Sequence, residues 1–160
     1  MTLKVGEKLP SIALKTMTDD GPKNVTTDEI FAGKKAILFA LPGAFTPGCS
    51  MKHVPGYVRN YESIMEKGVD VIACLSVNDA FVMGAWAKDQ QAEGKILMLA
   101  DGNADFTKAV GMTMDGSGFG MGLRSQRYAA IIDNGVVKHL AVEPAPGVDV
   151  SSAENIMKHL

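Results

Sequence analysis

Three short apolar runs decide what this chain can fold into. They occupy residues 36–41 (Ala-Ile-Leu-Phe-Ala-Leu), 69–77 (Val-Asp-Val-Ile-Ala-Cys-Leu-Ser-Val) and 95–100 (Lys-Ile-Leu-Met-Leu-Ala). Each is strand-length, and none shows the strict alternation of a half-exposed strand. Such runs read as strands buried on both faces, the mark of a parallel sheet covered by helices. Helical segments fit between them. One follows Pro47 and ends at Lys67-Gly68; the other starts at Asn78-Asp79 and stops at Glu93-Gly94. Pro55-Gly56 interrupts the first, where a missing amide donor predicts a kink.

The rest of the chain completes the sheet. Residues 11–15 and 24–26 predict a hairpin around the Asp19-Asp20-Gly21-Pro22 turn, and Thr27-Asp28-Glu29 starts a helical turn that Gly33 ends. Residues 112–122, rich in glycine and methionine, read as an irregular loop. Arg127 to Ile132 reads as a strand, Asn134-Gly135 as a two-residue hairpin turn, and residues 136–142 as the partner strand. Ser151-Ser152-Ala153-Glu154 has capping-box spacing before a last helix. Parallel βαβ units followed by an antiparallel pair predict an α/β, thioredoxin-like fold. Its central mixed β-sheet is flanked by helices and carries an N-terminal hairpin extension. No linker or repeat divides residues 1–160, so one domain is expected.

The first run leads into Pro42-Gly43-Ala44-Phe45-Thr46-Pro47-Gly48-Cys49-Ser50. Thr46 before Pro47 is the pairing of an N-cap and a first helical residue. Cys49 then falls in the first helical turn, at the C-terminal end of the sheet where ligands bind in such folds. Backbone amides there lack helical partners and the helix dipole favours an anion. A thiolate, the reactive form of cysteine, is stabilised by such surroundings.

Other features bound the function. A net charge of −2, with no basic cluster among aromatics, gives nucleic acid no electrostatic foothold. No apolar run reaches membrane-spanning length, and the N-terminus has no signal-peptide core. With two cysteines in 160 residues, a cytoplasmic protein with reduced thiols is expected. Cys49 is followed by Ser50, Met51 and Lys52, so the Cys-x-x-Cys pair of dithiol exchange is missing. His53 lies four residues after Cys49, on the same face of a regular helix. It reads as a pocket-lining polar residue, with a Cys–His dyad or a helix-surface histidine as alternatives. His139 and His159 fall in distant elements, so no metal site and no cofactor are expected. Arg124 and Arg127 precede the fourth core strand, where an arginine can reach Cys49 across the sheet ends.

The run from Pro42 to Cys49 resembles the Pro-x-x-x-Thr-x-x-Cys signature of peroxiredoxins. Together with Cys74-Leu75-Ser76-Val77-Asn78-Asp79 and Arg127-Tyr128, it is similar to the type-V subfamily, type II in plants. The likeness implies thiol-dependent reduction of hydrogen peroxide and organic hydroperoxides in antioxidant defence. It implies Cys49 as the peroxidatic cysteine, passing through a sulfenic acid. Thr46 matches the threonine that hydrogen-bonds sulfur and peroxide, Pro42 the proline that shields the pocket, and Arg127 the arginine that steadies the thiolate and the departing oxygen. Gly48 and Phe119 are expected at the substrate. The resemblance implies glutathione, glutaredoxin or thioredoxin as reductant, and a homodimer through the active-site rim. Phe45, Phe81 and residues 114–121 offer apolar side chains for that contact. Animal members carry a resolving cysteine near the position of Ser151 and Ser152. This chain has none there. Cys74 matches a possible second redox cysteine, but its place inside an apolar strand favours packing.

Overall fold

The three apolar runs become neighbouring parallel strands at the centre of a seven-stranded sheet. The structure, a computed structural model, describes residues 2–160. The strands are β1 (Ala13–Thr18), β2 (Gly21–Thr26), β3 (Lys35–Ala40), β4 (Val71–Ser76), β5 (Leu97–Ala100), β6 (Thr113–Asp115), β7 (Leu123–Ser125), β8 (Tyr128–Asp133) and β9 (Val136–Val142). The helices are α1 (Thr27–Phe31), α2 (Val54–Arg59), α3 (Tyr61–Glu66), α4 (Ala80–Asp89), α5 (Asp105–Ala109) and α6 (Ala153–Met157). The sheet order is β2-β1-β5-β4-β3-β8-β9. Strands β3, β4 and β5 are parallel, whereas β8 and β9 run antiparallel on one side. The β1–β2 hairpin joins the other side antiparallel to β5. This is the mixed sheet with a hairpin extension that the sequence predicts.

The absence of alternation in the central runs now has its cause. Ile37 and Phe39 of β3, with Ile72 and Cys74 of β4, face one core, closed by Val54, Tyr57, Ile64, Met83, Trp86 and Ile156. Ala36, Leu38, Ala73 and Leu75 face a second core, closed by Ile30, Phe31 and Phe106. Both faces are apolar because both are covered.

Local signals are mostly obeyed, with three refinements. Asn134 (φ 49°) and Gly135 (φ 78°) form the expected tight hairpin turn, in which both residues need the left-handed region. The first helix begins at Thr27 as expected, capped by Thr26, whose hydroxyl accepts from the Glu29 amide and donates to the Glu29 carboxylate. At the C-terminus the cap is Ser152, not Ser151, because the Ser151 hydroxyl is taken by Glu143 at 2.6 Å. Residues 112–122 are not wholly irregular, since β6 and β7 pair across a turn in which Gly116 N–H donates to Gly122 O at 2.7 Å.

The third refinement concerns Pro55. The helix opens at Pro47 but winds wide over Cys49–His53, where the Val54 amide donates to the Cys49 carbonyl five residues back. Pro55 has no amide to give, and its ring crowds the turn before it. The wide turn absorbs that conflict ahead of the proline. The helix breaks again at Asn60 (φ −96°, ψ 7°), dividing α2 from α3.

Candidate active site

The loop from β3 to the helix is tied down at several points. Pro42 is half-buried, and its carbonyl accepts from Arg124 Nη1 at 3.3 Å. The Ala44 amide donates to Asn78 Oδ1 at 3.0 Å, and the Ser76 hydroxyl donates to the same oxygen at 2.6 Å. Asn78 therefore shapes the loop from the end of β4. Phe45 holds a left-handed backbone (φ 64°), strained for an aromatic residue and fixed by these surrounding bonds.

Thr46 caps the helix through its backbone: its carbonyl accepts from the Ser50 amide at 2.9 Å. Its hydroxyl donates to the Gly43 carbonyl at 2.7 Å. A threonine hydroxyl has one proton, so this bond leaves its lone pairs for a ligand. The helix is anchored one residue beyond Cys49, where Trp86 Nε1 donates to Ser50 Oγ at 2.9 Å.

Cys49 and Arg127 meet although 78 positions separate them. Strand β8 runs antiparallel to β3, with Tyr128 opposite Ala40, so Arg127 emerges at the edge where the Cys49 loop begins. Arg127 Nη2 donates to Cys49 Sγ at 3.2 Å. Gly48 makes room for this approach: a Cβ there would lie 3.2 Å from Nη2. Cys49 is fully buried.

His53 is neither dyad partner, pocket lining nor helix surface. It is fully buried, and Arg127 Nη1 lies 2.9 Å from its Nδ1. Its Nε2 lies 3.1 Å from the Ser151 carbonyl. Burial, and then the charge of Arg127, pull its pKa down to about 3. Both ring nitrogens are engaged, which leaves none for a metal. His139 and His159 stack on each other with ring centroids 3.8 Å apart. Among the described residues, no three potential metal ligands cluster.

Cys74 sits in the middle of the sheet, opposite Phe39 of β3 and Met98 of β5, on the same face as Cys49. Both cysteines are free. Burial pushes the Cys74 thiol well above its usual range, and the nearby Cys49 sulfur adds to the shift. Phe119 lies on the tight turn between β6 and β7 and is 85% exposed. Met121 approaches the Gly43 turn, with its Cε 3.4 Å from where a Gly43 Cβ would be. Arg124, which also donates to the Met121 carbonyl at 2.9 Å, links the β6–β7 turn to Pro42. Asn78, read as a helix start, Arg124, read as an arginine able to reach Cys49, and Met121, read within a contact loop, thus brace the loop before Cys49. Asn78 stood within a quoted motif, whereas Met121 carries no local signal.

A thioredoxin-like sheet bearing a buried, free cysteine beneath an arginine defines a thiol-based oxidoreductase. The chain matches the Redoxin family over residues 4–157. It is 48% identical to "Peroxiredoxin-2E, chloroplastic" of Arabidopsis thaliana, over 99% of this chain and 70% of that protein. The crystal structure of reduced Prx3 in complex with H2O2 from Vibrio vulnificus is similar at 54% identity and a TM-score of 0.95, covering 99% of each chain. The Plasmodium falciparum antioxidant protein (1-Cys peroxiredoxin) is 32% identical with a TM-score of 0.91, covering 98% of each. The chain belongs to the peroxiredoxins, of the plant type II kind within the thioredoxin-like superfamily. Its activity is thiol-dependent peroxide reduction.

Proposed function

We propose that Cys49 is the nucleophile of this peroxidase and that an external thiol recycles it. The observation that carries the assignment is the 3.2 Å contact from Arg127 Nη2 to Cys49 Sγ. The ionised sulfur attacks one peroxide oxygen, the O–O bond breaks, and the second oxygen leaves with the electron pair. Cys49 becomes a sulfenic acid, and the leaving oxygen takes a proton to become water or an alcohol. Arg127, a permanent cation with several donors, faces both the sulfur and the charge that develops on the leaving oxygen. Thr46 accepts the peroxide O–H and orients it. Pro42 shields the loop from water. The substrates fitting this chemistry are hydrogen peroxide and organic hydroperoxides.

Thr46→Val keeps the shape and removes the hydroxyl, so the rate constant with hydrogen peroxide is expected to fall about 100-fold. Thr46→Ser keeps the hydroxyl and is expected to react within a few-fold of wild type. Stopped-flow measurement of both proteins checks this, and equal rates for valine and serine would remove Thr46 from the mechanism.

For recycling, the chain offers Cys74 alone, buried and with a raised titration range. An external thiol such as glutathione, glutaredoxin or thioredoxin therefore meets the sulfenic acid, releases water and forms a mixed disulfide that a second thiol resolves. The relative described as a 1-Cys peroxiredoxin supports this economy of cysteines. Cys74→Ser is expected to keep most of its turnover with glutathione and glutaredoxin. A Cys49–Cys74 disulfide in peptide maps of the peroxide-treated protein, with turnover lost in Cys74→Ser, would reverse the assignment. Free thiols at both positions accord with a reducing compartment such as the cytoplasm.

The active protein is a homodimer in this reading. Phe45, Phe81 and Phe119 are 52%, 69% and 85% exposed, unusual for phenylalanines of a monomer. Phe45 lies in the catalytic loop and Phe119 on the turn that Arg124 ties to it, so a second copy covering them would complete the rim. Sedimentation at micromolar concentration is expected to give a dimer that Phe119→Asp weakens. A wild-type monomer would contradict this.

A further inference from the structure

The partners of the half-buried Arg127 guanidinium are not the carboxylates it commonly meets. The ion pairs recorded among the described residues, Lys4–Glu7 and Arg59–Glu154, do not involve it. Its two terminal nitrogens go instead to Cys49 Sγ at 3.2 Å and His53 Nδ1 at 2.9 Å. Arginine only donates, so Nδ1 must be the lone-pair nitrogen of a neutral imidazole. The ring proton then sits on Nε2 and donates to the Ser151 carbonyl at 3.1 Å. These two partners select one tautomer and one ring orientation.

The support continues outward. The Ser151 carbonyl also accepts from Tyr57 Oη at 2.8 Å. The Ser151 amide and hydroxyl donate to Glu143 Oε2 at 2.9 and 2.6 Å. The Glu143 amide donates to the Arg127 carbonyl at 3.0 Å, so the circuit returns to the arginine's own backbone. The ring packs tilted on Phe39 with centroids 4.9 Å apart, which leaves it no room to flip freely.

We propose that His53 is a positioning residue for peroxide reduction: a neutral acceptor that aims Arg127 at Cys49 without neutralising it. The Ser151 carbonyl locks His53 in that role. A carboxylate at position 53 would aim the guanidinium equally well, but its charge would compete with the sulfur and the leaving oxygen for the arginine. A neutral imidazole supplies direction and leaves the positive charge available. This inference rests on the roles of Cys49 and Arg127 given above.

The test compares rate constants of the reduced protein with hydrogen peroxide for His53→Asn, His53→Asp and His53→Leu. Each is made alone and in an Arg127→Gln background. Asparagine places an amide oxygen where Nδ1 lies, and is expected to stay within about 5-fold of wild type. Leucine removes the acceptor and aspartate adds the competing charge; each is expected to lose at least about 20-fold, in the range typical of lost orientation or electrostatic stabilisation. In the Arg127→Gln background, the three His53 variants are expected to react alike. Should His53→Leu fail to fold, as a thermal scan would show, the asparagine and aspartate pair carries the test through their near-identical shape. Aspartate reacting as fast as asparagine, or differences at position 53 that persist without Arg127, would overturn the inference while leaving Arg127 in place. An Arg127→Gln protein with wild-type rate would instead remove the role of Arg127, and this inference with it.

Discussion

Cys49→Ser is expected to consume no hydrogen peroxide above the uncatalysed rate when a thiol reductant is supplied. A serine hydroxyl is a weak nucleophile unless a neighbouring base takes its proton. No such base stands here. His53 accepts from Arg127 at one nitrogen and donates to the Ser151 carbonyl at the other. Cys74 gives no substitute, because burial within β4 keeps its thiol protonated. The replaced sulfur sits in an apolar cluster, so the hydroxyl is expected to cost about 1–3 kcal/mol of stability. Circular dichroism would show whether the fold persists. A folded serine variant that still turns over peroxide would place the nucleophile elsewhere.

The second large effect is on stability in acid. His53 titrates at about 3 in the folded protein, against an ordinary value of 6.5, because burial and then Arg127 disfavour its charged form. Between those values the unfolded chain carries a proton on His53 that the folded protein refuses. Stability from this group is complete above pH 6.5 and declines as pH falls towards 3. The slope is about 1.4 kcal/mol per pH unit, so roughly 3 kcal/mol is lost between pH 6.5 and 4. Glu143 acts in the same sense at lower pH: burial pushes its carboxyl up, but hydrogen bonds from Ser151 and Asp149 outweigh this and hold it down. Asp101 opposes both, since burial raises it despite its bonds to Thr107 and Phe106. Urea midpoints across this range check the expectation. His53→Asn has nothing to titrate at that position, and its stability is expected to flatten by one proton's slope. Equal slopes in the two proteins would contradict a buried neutral His53.

These two expectations draw on different levels of the molecule. The place of Cys49, the proposed nucleophile, was legible in a local pattern, since Thr46-Pro47 starts a helix and brings Cys49 into its first turn. The acid lability was not, because nothing in the residues around His53 shows that both ring nitrogens are occupied. Its spacing from Cys49 suggested one shared face. The wide turn over Cys49–His53, wound to accommodate Pro55, carries the histidine to Arg127 instead of to the sulfur.

By itself the sequence determined the sheet, the hairpin and the place of Cys49 in the first turn of a helix. These depend on burial periodicity, turn chemistry and helix-start signals, all of which act within about ten residues. It also placed Cys74 inside a strand, where a packing role follows from burial. Which nitrogen of His53 carries hydrogen, and how Arg124 and Met121 reach the Pro42-Gly43 turn, were decided by the tertiary structure. Each depends on a partner brought close by strand order, as when antiparallel β8 delivers Arg127 to the end of β3. A hydrogen bond is fixed by the positions of two groups, and for Cys49 and Arg127 those groups lie 78 residues apart along the chain.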